Sequence, residues 1–291
     1  MALIINKNMD VEYNLAIEEY LLRDFALKED ILFIWYGKKA FVFGRNQNPF
    51  IEINPQYLLE DSIPKIRRIS GGGTIYEDEG TINFSYITKD YKNKINNYQY
   101  FLRPIINLLK KLNLNGFFKP KSHLFIEDVK ISGNAQAFIN NRLLHHGTIL
   151  FDSDLSIIQR ALIDYNQSAN GHHILSNKQP VKNLNSLINI SRDEFVDLLI
   201  ENICLERNIS SEKMIVSSNE KIDYYLNNKY RNWNWNFGKT PSFNLTVNIK
   251  KDLVNFKVEK GKIVEVDKSR FSDFKTIKLY SKEYYKLIKQ K

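Results

Sequence analysis

The sequence has a single cysteine among its 291 residues and no long uninterrupted apolar run. One cysteine cannot form an internal disulfide, and it also excludes a zinc site built from several cysteines. No segment approaches the roughly 18 uncharged apolar residues that a membrane-spanning helix requires. The first 22 residues carry acidic side chains within their apolar part, so we expect no signal peptide and a soluble, cytoplasmic protein.

The composition, with 43% apolar and 26% charged residues, is that of a globular protein and excludes wholesale disorder. The 42 basic residues outnumber the 33 acidic ones, and the net charge of +9 raises the question of an anionic partner. Residues 242–291 hold 13 basic and 6 acidic side chains, whereas residues 1–241 hold 29 and 27. A lysine-rich surface of this kind is more often solvated than bound to nucleic acid, so we expect no nucleic-acid partner and no membrane partner.

The spacing of apolar residues predicts an α+β fold, because strands and helices are intermixed without regular βαβ alternation. The predicted helices are Asp10–Leu27, Tyr98–Leu114, Asp154–Asp164 (with Ser153 as its N-cap) and Ser191–Glu206. The predicted strands are Ile31–Trp35, Ala40–Phe43, Ile66–Ile69, Thr81–Ile87 and three within residues 123–151. We therefore predict a large mixed-sheet domain over residues 1–241 and a small, basic C-terminal α+β domain over residues 242–291.

The segment RRISGGGTIY, residues 67–76, is the most informative stretch. Three consecutive glycines remove every side chain from a turn, so that backbone N–H groups can approach an anion closely. Arg67 and Arg68 add planar donors suited to a phosphate or a carboxylate. The loop lacks the endings and spacings of a Walker loop or a dinucleotide fingerprint, and a flexible hairpin with surface arginines is the competing interpretation.

Three later segments are ambiguous when each is taken alone. Lys130, in KISGNAQ, is typical of an exposed strand edge. His145 and His146 are adjacent on a predicted strand and point to opposite faces, so they cannot share one metal ion, and we predict no metal site. The segment WNWNFGKTPSF is typical of a half-buried strand or hinge that packs between domains.

Taken together and in this order, these segments resemble the lipoate-protein ligase A family. The similarity is carried by RRISGGGTIY, KISGNAQ, HHGTILFDSDL and WNWNFGKTPSF, and the segments NLAIEEYLL and FVFGRNQNPFIEIN fit the same pattern. It extends over about residues 10 to 243. The resemblance implies a large domain with the fold shared by biotin ligases and class II synthetases, followed by a small C-terminal domain.

The resemblance also implies a two-step reaction with ATP and Mg²⁺. Lipoate is activated to lipoyl-adenylate, and the lipoyl group then passes to a lysine of an acceptor, either a lipoyl domain or a glycine-cleavage H protein. Lys130 is the implied catalytic residue, which contacts the lipoyl carboxyl group and the α-phosphate. The implied ATP contacts are Arg68, Gly73, Thr74, Ile75 and Tyr76, in a turn shaped by Gly71 and Gly72. The implied pocket positions are Asn83, Ser132, Gly133, Ala135 and His146.

The sequence departs from the family pattern at three places. Glu77 stands where the family usually has histidine, which removes a neutral donor near the lipoyl pocket and adds a charge. Thr81 stands where asparagine is usual. Ser122 and His123 replace an Asn-Asp pair, and the loss of a carboxylate is expected to weaken the placement of Mg²⁺.

Two kinds of alternative remain at this level. An octanoyltransferase, a lipoyl amidotransferase or a biotin ligase would share the fold, but the transferases pass the acyl group through an activated cysteine. Cys204, the only cysteine, lies in an apolar helical run and is predicted to be a buried core residue. A paralogue that uses lipoyl-adenylate, or binds lipoyl domains without adenylation, is the other alternative. The sequence does not separate lipoate from octanoate as the acid, and it does not identify the acceptor.

Overall fold

The computed structural model describes residues 1–59, 62–119, 123–162, 169–171, 175–177 and 179–290. The helices are Val11–Arg23 (α1), Pro49–Glu52 (α2), Pro55–Leu59 (α3), Tyr98–Lys111 (α4), Leu155–Ala161 (α5), Arg192–Arg207 (α6), Glu220–Tyr225 (α7), Trp233–Asn236 (α8) and Lys282–Gln290 (α9). The strands up to the middle of the chain are Ala2–Asn6 (β1), Ile31–Trp35 (β2), Ala40–Phe43 (β3), Lys65–Arg67 (β4), Ile75–Glu77 (β5), Thr81–Thr88 (β6), Gly116–Lys119 (β7) and His123–Ile126 (β8). The later strands are Val129–Ile139 (β9), Arg142–Leu150 (β10), Ala169–Gly171 (β11), Glu212–Lys213 (β12), Phe243–Ile249 (β13), Asp252–Glu259 (β14) and Lys262–Val266 (β15).

The strands form one large mixed sheet and two smaller sheets, which confirms the predicted α+β class. The large sheet has the order β12-β1-β2-β6-β10-β9-β8-β7. Strand β1 pairs in parallel with β12 and β2, and the remaining pairs are antiparallel. The smaller sheets are β4-β3-β5, beside the glycine turn, and β11-β13-β14-β15. No helix in the described ranges is long and apolar enough to cross a membrane.

The two faces of the large sheet bury different layers, and this difference positions the site. On one face, Leu32 and Tyr86 belong to an apolar layer that includes the inner residues of α4 and α6. On the other face, Phe33 and Ile87 pack in the layer that contains α1. Part of this second face is polar where β6 and β10 lie side by side, at Asn83, Ser85, His146 and Thr148. An apolar layer interrupted by polar side chains at one place indicates a site there.

Several predicted boundaries differ from the observed ones because local side-chain hydrogen bonds decide them. Helix α1 begins after Asp10, which accepts from the Tyr13 amide at 3.0 Å, and it ends at Arg23. Ser153 is not the N-cap of α5, because its hydroxyl pairs with Thr81 at 2.7 Å; Asp154 caps the helix instead. The predicted end of α5 at Asp164 lies outside the described residues.

The prediction of a strand at WNWN is wrong, since these residues form the short helix α8. The Asn232 side chain accepts from the Asn234 amide at 2.8 Å, which starts the helical turn. The segment forms a junction with the C-terminal sheet. Trp233 stacks on Phe237, and both pack with Phe50 against the apolar cluster of the C-terminal sheet.

A buried arginine holds this junction to the loop after β3. Arg67 has no exposed surface, and its guanidinium lies over the Phe43 ring at 4.8 Å. It donates over 2.8–3.1 Å to the carbonyl oxygens of Arg45, Gln47, Trp235 and Asn236 and to the Thr240 hydroxyl. Burial lowers the pKa of the Arg67 guanidinium to about 10, which leaves it charged at neutral pH.

We expect Arg67→Ala to lower the free energy of unfolding by about 3 kcal/mol, because it leaves several buried carbonyl oxygens without a donor. Arg67→Lys should recover less than about half of this loss, since an ammonium cannot reproduce the planar fork. Urea unfolding checks both variants. Arg160→Ala, which removes an exposed arginine bonded to Ser156, is the control and should change stability by less than about 0.5 kcal/mol. A loss in Arg67→Ala no larger than in the control would contradict this role.

Candidate active site

A cavity of about 220 Å³ lies over the polar part of the large sheet, beneath α1 and beside the glycine turn. Most of the residues that the sequence singled out converge on it. Those that line the cavity are Arg68, Gly72, Gly73, Thr74, Ile75, Asn83, Lys130, Gly133, Ala135 and His146.

Three of the predicted residues do not line the cavity. Gly71 is exposed on the outer side of the turn. The Tyr76 side chain points away from the cavity and packs against Phe41 in a separate apolar cluster. Ser132 accepts a hydrogen bond from Asn134 at 3.1 Å, and its side chain lies on the face of the sheet opposite to that of Gly133. Each of the three is therefore a structural neighbour of the lining residues.

A β-bulge turns Lys130 toward the cavity. The register between β8 and β9 pairs Leu124 with Ser132 and the next residue, Phe125, with Lys130, so that Ile131 is an extra residue in β9. Ile131 is buried in the layer on the far face of the sheet. The extra residue shifts the alternation of side chains, and Lys130 comes to lie on the same face as Gly133. Strand periodicity alone does not predict this orientation.

Lys130 is a half-buried cation that lines the cavity. Burial lowers the pKa of its ammonium to about 8, and the positive charge of Arg68 adds to the effect. Among the side chains that the structure describes, no carboxylate forms an ion pair with it. A Cβ atom on Gly133 would lie 3.1 Å from the Lys130 Nζ atom, so the glycine leaves room for the ammonium. Such a group is prepared to receive an anion.

Arg68 shapes the glycine turn from inside. Its Nη2 atom donates to the carbonyl oxygens of Gly71 and Gly73 at 2.6 and 2.8 Å, and its Nε atom donates to the Ser70 hydroxyl at 3.0 Å. Burial lowers its pKa to about 10, and it contributes positive charge to the cavity. The two adjacent arginines therefore have different surroundings. The expectation that both offer donors to an anion is wrong for Arg67, because its guanidinium faces the α8 junction.

A chain of hydrogen bonds, missed in the sequence, joins the glycine turn to α1. The Ser70 hydroxyl lies 2.6 Å from His146 Nε2, and His146 Nδ1 lies 2.9 Å from Glu18 Oε1. The same Glu18 oxygen accepts from the Ser85 hydroxyl at 2.5 Å. Glu18 follows Leu15 on the apolar face of α1, and an acidic residue on that face is the signal that the sequence offered. His145 points to the opposite face, as predicted, and stacks on Phe101.

The departures from the family pattern have different structural consequences. Glu77 lines the cavity and accepts from the Asn83 amide at 3.2 Å; burial raises its pKa to about 8, against the lowering effect of this hydrogen bond. Thr81 is buried and pairs with Ser153. His123 lines the cavity, whereas Ser122 lies outside the described residues.

Two segments cover the glycine turn: the loop after β3, which contains Gln47, and the segment that contains Ser176. The Ser176 hydroxyl accepts from the Thr74 amide at 2.9 Å and from Gln47 Nε2 at 3.1 Å. It donates to Glu52, which also accepts from the Ser176 amide at 3.0 Å. The Gln47 side chain in turn accepts from the Gly44 amide at 3.0 Å. These bonds give the turn one defined conformation, which a flexible hairpin would lack.

Cys204 lies outside this site. It is half-buried in α6, behind the sheet, so the prediction of a fully buried core residue is wrong. It does not line the cavity. Nor do the described parts of the chain contain a group of three His, Cys, Asp or Glu side chains suited to a metal ion. The described residues therefore do not fit a protein-held Mg²⁺.

We expect Gly72→Ala to lower the free energy of unfolding by about 1–2 kcal/mol, because Gly72 has a φ of +91° and a Cβ atom there would lie 2.8 Å from Arg68 Nη2. Gly71→Ala is the matched control, since a Cβ atom at Gly71 meets nothing within 4 Å. Thermal and urea unfolding check the pair. Equal losses in the two variants would show that the turn does not depend on this conformation.

Comparison with protein families matches residues 10–204 to the lipoyl protein ligase A/B catalytic domain. The chain is 34% identical over 275 residues to lipoate–protein ligase 1 of Staphylococcus aureus strain Mu50, an alignment that covers 90% of this chain and 84% of that protein. It is 32% identical over 284 residues to the lipoate-protein ligase LplJ of Bacillus subtilis strain 168, over 94% of this chain and 85% of that protein.

Solved structures share the fold at low sequence identity. The lipoate complex of LipL1 from P. falciparum is 23% identical with a TM-score of 0.69, over 100% of this chain and 94% of that one. A bi-partite lipoate protein ligase from Thermoplasma acidophilum, described with its E2 lipoyl domain, is 22% identical with a TM-score of 0.69, over 81% and 95%. A lipoate-protein ligase A bound with ATP is 22% identical with a TM-score of 0.67, over 81% and 97%. The family match over most of the sequence, together with relatives above 30% identity over nearly all of it, establishes that the chain belongs to the lipoate-protein ligase family.

Proposed function

We propose that the chain activates lipoate with ATP and transfers the lipoyl group to a lysine of an acceptor protein. The observation that carries this proposal is Lys130, a half-buried ammonium that lines the cavity beside the glycine turn. Family membership supports the same activity. The cysteine-based alternative has no support in the site, because Cys204 does not line the cavity.

In the first step a carboxylate oxygen of lipoate attacks the α-phosphorus of ATP. A phosphorus–oxygen bond forms to the acid, the bond to the β-phosphate breaks, and pyrophosphate leaves. Negative charge concentrates on the α-phosphate, and a fixed cation in a water-poor cavity stabilises it more than a mobile one would. Lys130 supplies that cation, while Arg68 holds the turn whose backbone faces the phosphates.

In the second step the acceptor amine attacks the carbonyl carbon of lipoyl-adenylate. The new amide bond replaces the bond to AMP, and the amine nitrogen loses a proton as AMP leaves. The Lys130 ammonium stabilises the oxyanion that forms in between. As a free amine, Lys130 would itself be a nucleophile beside an activated acyl group, so its protonated form serves both steps.

We infer that the acyl chain runs across the sheet, along the lining of the cavity. Gly133, Thr148, Asn83 and Trp35 form a row over four adjacent strands. With strands about 4.8 Å apart, the first and third members of this row are roughly 10 Å apart. That distance is comparable to an extended eight-carbon chain. A carboxyl head at Lys130 therefore places the distal end near Asn83 and Trp35.

The finer features of the function are proposals as well. Mg²⁺ enters with the phosphates of ATP, because magnesium is commonly held through substrate phosphates. The acceptor is a lipoyl domain or an H-type protein, for which the E2 lipoyl domain named with the Thermoplasma ligase is a precedent. We place the reaction in the cytoplasm. The catalytic unit is residues 1–241, and residues 242–291 form an accessory unit.

Lys130→Ala should lower lipoate-dependent ATP–pyrophosphate exchange by at least about 100-fold, because it removes the cation at the α-phosphate. Lys130→Arg should not restore the rate, since the larger planar group does not fit beside Gly133. Lys182→Ala is the control, because this exposed lysine is a backbone neighbour of Lys130 and its activity should match wild type. Exchange in Lys130→Ala at the rate of the control would remove Lys130 from the mechanism.

The kcat/KM for lipoate should be level between pH 6 and about pH 7.5 and fall above pH 8. The lowered pKa of Lys130, about 8, means that the ammonium is present below this value and is lost as the pH rises through it. This parameter reports the free enzyme. Glu77 gains charge over the same range, so Glu77→Gln is measured in parallel and should keep the fall. A level profile up to pH 9.5 in both proteins would contradict the assignment.

A further inference from the structure

Two carboxyl groups lie at the distal end of the acyl cavity. Glu77 ends β5, and Ile75 and Glu77 of that strand both line the cavity. Glu18 reaches the cavity from α1 on the other side. Both side chains are buried, with 2% and 1% of their surface exposed. Two acids at the closed end of a site for a hydrocarbon tail are costly unless something bonds to them.

The hydrogen bonds of the Glu18 carboxyl group are incomplete, whereas Glu77 has a described partner. Glu18 Oε1 accepts from His146 and Ser85, while Glu18 Oε2 is buried and has no hydrogen-bond partner among the described residues. Glu77 Oε2 accepts from Asn83. A Cβ atom on Gly37 would lie 3.2 Å from the same Glu77 oxygen, so the backbone closes the cavity there.

Burial and the surrounding charges together determine whether the Glu77 carboxyl group is protonated. Burial raises its pKa to about 8, and the negative charges of Glu18 on α1 and of Asp78 add to the rise, whereas the hydrogen bond from Asn83 and the charge of Arg68, directly after β4, oppose it. At neutral pH Glu77 is therefore mostly a carboxylic acid, which can donate one hydrogen bond as well as accept. The distal end of the cavity thus presents a donor at Glu77 and an unused acceptor at Glu18.

We propose that Glu77 and Glu18 give the cavity a preference among carboxylic acid substrates. Substrates whose distal end carries a hydroxyl, thiol or other sulfur group are favoured over alkanoic acids of the same length. The inference rests on the proposed function and concerns the choice of acid. A hydroxyl group at the end of the chain accepts from Glu77 and donates to Glu18. A ring sulfur accepts from Glu77 more weakly. A terminal methyl group satisfies neither acid and removes the water that otherwise would.

The size of the preference follows from the unpaired groups. A site that forms hydrogen bonds to a polar group of its substrate strongly rejects an analogue without that group. This discrimination is larger than the one an apolar site achieves through the size of the substrate. Here one neutral donor and one acceptor are left unpaired, so we expect kcat/KM to differ by at least about tenfold. The sequence supplies the origin of this selectivity, because Glu77 occupies a position where the resembling family has histidine.

The test is ATP–pyrophosphate exchange with 8-hydroxyoctanoate and nonanoate, two acids that differ only by a hydroxyl in place of a methyl group. Wild type should favour 8-hydroxyoctanoate by at least tenfold in kcat/KM, with lipoate in between. Glu77→Leu should lower this ratio to about one or invert it. Glu77→Gln, which keeps a donor and an acceptor, should retain the preference.

Controls and outcomes separate this inference from the proposed function. Glu79→Leu makes the same change at an exposed residue two positions away, and its ratio should equal that of wild type. Because each ratio compares two acids on one protein, a general loss of folding or activity cancels. Equal kcat/KM for the two acids in wild type, or an unchanged ratio in Glu77→Leu, would overturn the selectivity while the ligase function stands. No exchange with any acid would overturn the function, and the selectivity with it.

Discussion

The hydrogen bonds of two adjacent arginines organise the site. Arg67 ends β4 and Arg68 follows it, and because neighbouring residues of an extended segment point to opposite sides, their guanidinium groups reach different structures. Arg67 binds the carbonyl oxygens of the loop after β3 and of α8. Arg68 binds the carbonyl oxygens of the glycine turn. One short strand therefore holds together the turn, the junction to the C-terminal sheet and the wall of the cavity.

The cavity contains positively charged side chains that form no ion pair with a described carboxylate. Lys130 is half-buried and Arg68 is buried, and burial keeps Glu77 mostly protonated at neutral pH. Such an arrangement costs stability in the empty protein. It also means that an anion entering beside Lys130 meets positive charge that is already fixed in place, which favours electrostatic stabilisation of a transition state.

The excess basic side chains of residues 242–291 lie outside the cavity. Some of them are paired locally: Lys257 lies 2.8 Å from Glu265, and Lys268 lies 3.1 Å from Asp252. These exposed pairs contribute little to stability. The net charge of +9 is thus a poor guide to the charge of the cavity, where Lys130 and Arg68 lie apart from the C-terminal lysines.

The amino-acid sequence by itself determined the α+β class, the glycine turn and ten of the 24 described residues that line the cavity, because these depend on local periodicity, on glycine conformation and on motif order. It also determined that His145 and His146 separate to opposite faces, since strand alternation is a local property. Tertiary structure alone decided that Arg67 serves the α8 junction, that Glu18 joins the site from α1, and that the bulge at Ile131 turns Lys130 inward. These three features depend on contacts between segments far apart in the chain or on the register of neighbouring strands. No local pattern encodes such pairings, because burial and hydrogen-bond partners exist only once the strands are assembled.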